Sequence, residues 1–377
     1  MIFDVRLPDF KRAVSLVGGV AKSKISNPVV ENIVLETQGG RLTIAATNLS
    51  ISIRTSIEIQ NYKHGGSVAV PARLLSQILS VARGPAIKFS RTKRDSAISL
   101  MDGSGSGFTI AVMGTDDWPT IIPDVEGAEC HIPASVLRDV IRWTAFATSD
   151  ELARYSLGGV LLNIQGTRHR WVATDGRRLS LIEGKIKGSQ PVNALIPAQT
   201  LRELDRALPE DGTVKMVVGE RRILFETDNV TIASTLMENN FPPYEKLIPA
   251  MYNYTITFSS SELLHAVRCA SLLQSRNPMI TIQTLQHGAI KVSGTETEAG
   301  YAESAIKADI GSFNVMLHYN ANYLIDLLQA RLNEQQGTMT LNLVEGSDAG
   351  YFIPSMIGAN NVLHIIMPMA IETDVIE

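Results

Sequence analysis

Apolar and polar positions along the chain follow two rhythms that recur together. Stretches such as ENIVLETQGGRLTIAATN, GGVLLNIQGTRHRWVATDGRRLSLIEG and MITIQTLQHGAIKVSGTETEAGYAES alternate with a two-residue period and read as antiparallel strands. Gly39-Gly40, Asp175-Gly176 and His287-Gly288 sit where their hairpin turns need a positive φ. Between these runs stands a segment with one apolar stripe at helical spacing, entered through a residue suited to a helix start. It reads SVAVPARLLSQIL around Pro71, CHIPASVLRDVI around Pro133, ALIPAQTLRELDRAL around Pro197, TITFSSSELLHAV around Ser259 and NVMLHYNANYLIDLL around Asn320. The spacings are 62, 64, 62 and 61 residues, and a looser copy, VRLPDFKRAVSLV, opens the series near residue 8. Proline has no N–H to lose in a first helical turn, and Ser and Asn are good caps, so equivalent positions share chemistry as well as spacing.

Six units of about 62 residues fill almost all of the 377. Each predicts one helix and about four antiparallel strands, too little to bury both faces alone, so two units should pair into a domain. The expected domains are 1–125, 126–250 and 251–377, with Pro123–Gly127 and Pro249–Met251 as linkers. The class is α+β: three similar domains, each of two helix-plus-four-strand units.

Candidate chemistry adds little. Cys130 and Cys269 lie in no metal-ligand spacing, and the seven histidines form no HExxH or i,i+4 pair, so no metal or other cofactor is expected. Gly103–Gly107 resembles a phosphate loop in composition, but the strand FTIAV follows it where a helix would be needed, and it reads as a hairpin. There is no G-x-S-x-G elbow and no carboxylate pair that stands out by spacing. The chain is read as a binding protein, not an enzyme. Asp4 and Asp9 interrupt any signal-peptide core and no apolar run approaches a membrane span, so a cytoplasmic protein without a membrane partner is expected.

Charge changes the picture only once it is mapped. The total is −4, which taken alone argues against nucleic acid. The six helical segments, however, carry ten Lys and Arg against six Asp and Glu, a net +4 that leaves −8 elsewhere. Arg138 and Arg142 recur as Arg202 and Arg206 at the same offsets from their prolines, and Arg268 holds the later position in the fifth helix. Residues four apart share a helix face, so repeated basic helices would offer a sequence-independent track for a phosphate backbone.

With the repeat established, the sequence resembles the bacterial DNA polymerase III beta subunit, the DNA sliding clamp. The resemblance rests on Asn27-Pro28 with Glu31-Asn32, VPARLL at 70–75, RYSLGG at 154–159, VATDGRRL at 172–179, FPPYEKLIP at 241–249 and IIMPM at 365–369, in order over the whole length. It implies a head-to-tail homodimeric ring of clamp domains, helices lining the hole and sheets outside, that holds double-stranded DNA without reading sequence. Lys24 and the loop Asp150–Tyr155, with Glu151 and Tyr155, would lie near the DNA path, and Lys11, Arg73, Arg138, Arg142, Arg202 and Arg206 would face the hole. It further implies a groove for short motifs of the DNA polymerase III alpha subunit, the clamp loader and other clamp-binding proteins. Leu157, Thr174, Gly176, Arg177, Leu179, Pro242, Lys246, Leu247, Asn320, Tyr323, Ile366, Met367, Pro368 and Met369 match it. Thioether and aliphatic side chains repack around varied Leu or Phe anchors, while Arg177 and Asn320 can hold peptide polar groups.

A head-to-tail contact joins two unlike surfaces. Arg91, Lys93 and Arg94 of the first domain are expected to meet Glu296, Glu298 and Glu303 of the third, beside Leu272 and Leu273. The sequence departs from the family where an aromatic is common at Ser156, where Lys246 replaces an Arg, in FPPY for an FPDY-like motif, and in the acidic extension Ala370–Glu377, changes that bear on DNA contact and partner choice. A partner-binding clamp paralogue and an unrecognised hydrolase are the alternative functions.

Overall fold

The computed structural model of the chain describes all residues except 23–29, 92–95, 117, 120–121, 150–155, 189, 275–277, 312, 332–336, 356–359 and 371–377. Lys24, Lys93, Arg94, Asp150, Glu151 and Tyr155 therefore lie outside the described residues. Six α-helices stand where the repeat predicts them: α1 (Leu7–Gly18), α2 (Ala72–Val81), α3 (Ala134–Thr144), α4 (Ala198–Ala207), α5 (Ser260–Ser271) and α6 (Ala321–Arg331). Each follows directly on a strand. Pro71, Pro133 and Pro197 end the strands Gly66–Pro71, Ala128–Pro133 and Val192–Pro197, one residue earlier than a first helical turn would place them. All three strands are sheet edges, where a missing N–H breaks no ladder. At the other starts, Ser259 Oγ accepts the Glu262 N–H at 3.5 Å and Asn320 Oδ1 accepts the Asn322 N–H at 2.9 Å.

The chain packs as two compact units, Met1–Arg138 with Gln199–Leu236, and Asp139–Ala198 with Met237–Glu377. The first holds a five-stranded sheet in the order Gln60–His64, Ile2–Arg6, Ala86–Ser90, Ala97–Met101, Gly107–Ala111. Its eight-stranded sheet runs Ala128–Pro133, Thr213–Val218, Arg222–Glu226, Val230–Thr235, Ile51–Glu58, Arg41–Thr47, Asn32–Gln38, Gly66–Pro71. The second unit has one twelve-stranded sheet, in which Asn361–Ile366 pairs antiparallel with Arg178–Lys185. Pairing of Val230–Thr235 with Ile51–Glu58 is the same joint in the first unit. In both cases the last strand of one repeat adds to the third strand of another, so the central third of the chain gives half its strands to each unit.

Helices bury one stripe each. In α1 this is Leu7, Phe10, Ala13, Val14 and Val17, all under 6% exposed. The expected linkers carry neither helix nor strand, but they are not idle spacers. Val125 of the first, with Ile122 just ahead of it, packs on Val217, Leu224 and Ala233, while Ile248 and Tyr252, which flank the second, pack with Phe241 on the cluster of Leu161, Leu179, Leu195, Tyr351 and Ile365.

The joint is built around one turn, made twice. Thr174 Oγ1 accepts the Gly176 N–H at 3.0 Å and donates to the Arg178 carbonyl at 2.6 Å, while Asp175 Oδ1 accepts the N–H groups of Arg177 and Arg178 at 2.9 and 3.0 Å. In the first unit Thr47 and Asn48 make the same set: Thr47 Oγ1 with Leu49 and Ile51 at 3.0 and 3.2 Å, and Asn48 Oδ1 with Ser50 and Ile51 at 3.0 and 2.7 Å. The shared left-handed position is Gly176 at φ +90° in one and Leu49 at φ +74° in the other. A side chain with a Cβ costs about 1–2 kcal/mol there. Gly176→Ala should therefore lower stability by about 1 kcal/mol, whereas Leu49→Gly should raise it by up to about 1 kcal/mol as strain relief offsets glycine's entropy. Thermal unfolding of the two variants checks this, and shifts of the same sign would show that the turns are not equivalent.

Candidate peptide groove and charged faces

Most of the expected groove residues meet in the second unit, around the Thr174–Arg178 turn. The strand register sets Leu179 opposite Ile365 and Arg178 opposite Ile366. Beyond that strand the chain stays pinned, the Met367 N–H on the Arg177 carbonyl at 2.9 Å and the Met369 N–H on the His318 carbonyl at 2.8 Å. Met367-Pro368-Met369 is thus held between the turn and the strand Met316–Asn320, whose last residue caps α6. The segment 241–247, just ahead of the expected Pro249–Met251 linker, packs on the same cluster. Tyr244 is buried in the same cluster as Leu179 and Ile365, with Phe241 edge-on to it at 6.1 Å, and the short 3-10 turn Glu245–Leu247 follows.

This leaves Leu247 and Met367 43% and 41% exposed, next to exposed Gly176, Arg177, Pro242, Lys246 and Pro368. Two open apolar side chains flanked by two cations suit a peptide with apolar anchors and acidic or carbonyl groups. Leu157 and Tyr323 are half-buried, and Thr174 is buried because its hydroxyl builds the turn. Ile366 is buried too, and lines a pocket with Phe146, Arg178, Tyr323, Leu327 and His364.

That pocket contains what the sequence reading missed. Arg178 lies between Leu179 and Arg177, and the two-residue strand period turns it to the face opposite Leu179. Its guanidinium donates to Asp175 at 3.1 Å, to Asp326 at 2.7 Å and to the Phe146 carbonyl at 2.5 Å, and it stacks over Tyr323 at 4.4 Å. With its side chain only 10% exposed, it ties the groove turn to α6. Beside it His364 is 2% exposed, packed between Trp143 and Phe146 at 5.2 and 5.5 Å, and its Nε2 has no hydrogen-bond partner among the described residues. Burial, then the Arg178 charge, pushes its pKa down to about 3. Burial likewise lowers His169 to about 4, against the pull of Glu183.

The expected helix cations are less free than their count suggests. In the first unit Lys11 donates to the Ala82 carbonyl at 3.4 Å and Arg138 to the Pro209 carbonyl at 2.7 Å. Arg206 pairs with Glu203 at 2.9 Å and donates to the Ser15 carbonyl at 2.8 Å. Arg73 and Arg202 are exposed on α2 and α4. In the second unit Arg142 is half-buried and lies 3.7 Å from Asp139. A polar cleft of about 750 Å³ in the first unit is lined by Arg206 together with Arg12 and Arg41, two cations that neither the helix offsets nor the family resemblance singles out, and by Asp9, Glu58 and Asp228. Of the expected interface residues, Arg91 donates to the Ser67 carbonyl at 2.9 Å, Leu272 is 80% exposed with Leu273 half-buried beside it, and Glu296 and Glu298 are exposed. Glu303 accepts from Tyr301 at 2.7 Å and lies 3.6 Å from Lys291.

Comparison with known proteins decides the family. Sequence models of the DNA polymerase III beta subunit match end to end: the N-terminal domain at residues 1–122, the central domain at 131–243 and the C-terminal domain at 245–370. The chain belongs to the DNA polymerase III beta subunit family. The beta sliding clamp of Pseudomonas putida is 27% identical, over 98% of this chain and all of that protein. The sliding clamp structure from Pseudomonas aeruginosa bound to griselimycin superposes with a TM-score of 0.88 at 25% identity, covering 98% of this chain and all of that one. The Bacillus subtilis clamp has the same fold at a TM-score of 0.88 and 24% identity, over 98% and 99% of the two chains. The three-domain clamp fold of helices and antiparallel sheets is thus established, and the beta subunit is a replicative sliding clamp rather than an enzyme.

The buried histidines give this beta-subunit chain an acid sensitivity. Because their pKa values are lowered on folding, the unfolded chain binds protons first, and stability falls as pH drops from about 6.5 towards 3–4. Between pH 7 and 4.5 each histidine should cost roughly 2–3 kcal/mol. His364→Phe, which keeps the aromatic stack, should lose about 2–3 kcal/mol less over that interval in urea unfolding. An unchanged pH slope would mean that His364 is hydrated or partnered.

Proposed function

We propose that two copies of this chain close head to tail into a ring around duplex DNA, helices inward, and tether polymerase and other partners through the Arg177–Met369 groove. The observation that carries this reading is a pair of open strand edges. Gly107–Ala111 occupies in its repeat the place that Val230–Thr235 and Asn361–Ile366 occupy in theirs, yet among the described residues it pairs only with Ala97–Met101. Glu303–Lys307 corresponds to Ile51–Glu58 and Arg178–Lys185, yet among the described residues it pairs only with Ala289–Gly294. Each free edge is what the other repeats use as a partner, so two copies supply each other's missing strand.

Alternation along the ladders identifies the bonding groups. Asp102 N–H donates to the Ser106 carbonyl and Val112 N–H to the Ser96 carbonyl, which leaves Gly107, Thr109 and Ala111 facing outward. Gly294 donates to Ala302 and Ala308 to Gly288, which leaves Glu303, Ala305 and Lys307 outward. Glu303, expected at the interface from its charge, lies on this edge, and exposed Leu272 and half-buried Leu273 would add apolar contact. The domains of such a ring divide near 1–125, 126–250 and 251–377.

A ring holds DNA by topology, so the helix cations need only weak, non-specific phosphate contacts. Exposed Arg73 and Arg202 suit that role, with Lys11, Arg138, Arg142 and Arg206 contributing through partly satisfied guanidinium and ammonium groups. The polymerase III alpha subunit and a clamp loader are the partners this reading assigns to the groove, and the cytoplasm is its setting. No described helix is long and apolar enough to cross a membrane. Griselimycin, bound in the Pseudomonas aeruginosa clamp structure, is a candidate ligand for this chain as well.

The native chain should run near twice 41.1 kDa in solution. Thr109→Pro or Ala305→Pro, each removing an outward N–H without touching its own ladder, should shift it to monomer. Loaded protein should stay on nicked circular DNA and leave when the circle is linearised, and retention on linear DNA would reject topological binding. At the groove, Leu247→Asp or Met367→Asp should weaken a labelled peptide carrying adjacent Leu and Phe at least about tenfold with the melting temperature unchanged. Equal affinity would displace the assignment.

A further inference from the structure

The polar cleft of the first unit is used by neither the groove nor the strand edges, and its volume of about 750 Å³ is that of a small-molecule site. Its helix side supplies Arg12 from α1 and Arg206 from the last turn of α4. Arg12 is exposed and has neither an acid nor a hydrogen-bond partner among the described residues. Arg206 gives one N–H to Glu203 and one to the Ser15 carbonyl, which leaves the other donors of its guanidinium open. Asp9, the acid on this side, lies 3.4 Å from Arg6. The strand side supplies Arg41, Glu58, Asp228 and Asn229. The register sets Arg41 directly opposite Glu58, yet the two do not pair: Arg41 donates to the Ser56 carbonyl at 3.4 Å, and the Glu58 carboxylate has no partner among the described residues. Asp228 and Asn229 are exposed in the turn before Val230–Thr235, with side chains likewise unpaired among the described residues.

We propose that this cleft binds a ribonucleoside polyphosphate, its phosphates on Arg12, Arg206 and Arg41 and its ribose hydroxyls and base N–H groups on Glu58, Asp228 and Asn229. Charge selects the ligand class. The three arginines that line the cleft are balanced by the carboxylates of Asp9, Glu58 and Asp228, so a bare polyanion gains little from the net field. A ligand that is anionic at one end and a hydrogen-bond donor at the other satisfies both sides, because a carboxylate accepts from hydroxyl and amino groups while it repels phosphate. Half-buried Leu16, Ile57 and Pro209 in the lining give the base an apolar surface. Duplex DNA is the other source of phosphate, but its deoxyribose-phosphate backbone carries no hydroxyl to donate to Glu58 and Asp228. The site stands apart from the ring and groove readings, since it uses neither the open edges nor the Arg177–Met369 surface.

Titration calorimetry of the full chain in Mg²⁺-free buffer tests this with ATP, GTP, inorganic triphosphate and a short DNA duplex as probes. At least one nucleotide should bind saturably, one per chain, with inorganic triphosphate at least about tenfold weaker. Arg12→Ala and Arg41→Ala, at exposed positions, should each weaken the nucleotide about 10–100-fold with the melting temperature unchanged. Glu58→Gln with Asp228→Asn should tighten inorganic triphosphate and narrow its gap to the nucleotide. No saturable binding at millimolar nucleotide, or binding indifferent to both arginine substitutions, would overturn the proposal. Inorganic triphosphate binding as tightly as the nucleotide would reduce the cleft to a general anion site. A duplex that displaces the nucleotide and depends equally on Arg12 and Arg41 would make it a DNA backbone contact, and either result overturns the nucleotide assignment.

Discussion

Backbone hydrogen bonding at strand edges is the constraint from which the rest of this structure follows. Each repeat makes a sheet too small to satisfy both of its edges, and an exposed row of N–H and C=O groups is a template for pairing with another chain. The chain meets this twice internally, by adding Val230–Thr235 to Ile51–Glu58 and Asn361–Ile366 to Arg178–Lys185. The same rule applied a third time leaves Gly107–Ala111 and Glu303–Lys307 as complementary edges. Ring closure in the proposed function is thus the internal joint made between copies rather than a separately built interface, and its heterologous character follows from the two edges being different strands.

The groove is a by-product of the same joint. Joining Asn361–Ile366 to Arg178–Lys185 brings the Thr174–Arg178 turn, Met367–Met369 and the start of α6 to one place. Its twin at Thr47–Ile51 has the same backbone bonds, and Thr235 N–H reaches the Ser50 carbonyl as Met367 N–H reaches Arg177. What differs is the filling. In the twin, Ser52 bonds Thr47 at 2.8 Å and Thr200 bonds Ser234 at 2.7 Å, buried hydroxyl pairs where the groove has Leu179, Tyr323 and Ile366. One scaffold therefore yields a joint closed by hydroxyl pairs or one lined with apolar side chains according to a few residues, with Met367 and Leu247 exposed beside the second and Leu49 on the turn of the first.

Repeat length, helix starts and strand alternation were legible in the sequence because they depend on local chemistry: prolines at edge-strand ends, Ser259 and Asn320 as caps, and glycines in hairpins at positive φ. The family resemblance placed the groove residues. What stayed hidden depends on long-range partners. Arg178 looked like a neighbour of Arg177, although strand alternation turns it inward, and only the fold supplies Asp326 and the Phe146 carbonyl to hold it. The open edges were invisible for the same reason, since Thr109 and Ala305 carry no signal of their own and matter only through what their backbone lacks.

Charge shows the limit of counting. The helices are net +4, but Arg206 is paired with Glu203, Arg142 lies near Asp139, and Lys11 and Arg138 are spent on carbonyls. Their ammonium and guanidinium groups keep their charge while losing freedom to reach out, so they set a diffuse positive potential more than they form tight phosphate contacts. A protein that bound DNA by affinity would be poorly served by this arrangement. For a ring retained by topology it is an advantage: tight contacts would impose a barrier at each phosphate, whereas a smooth potential from partly satisfied cations permits movement along the duplex while the closed strand edges, and not the charges, prevent escape.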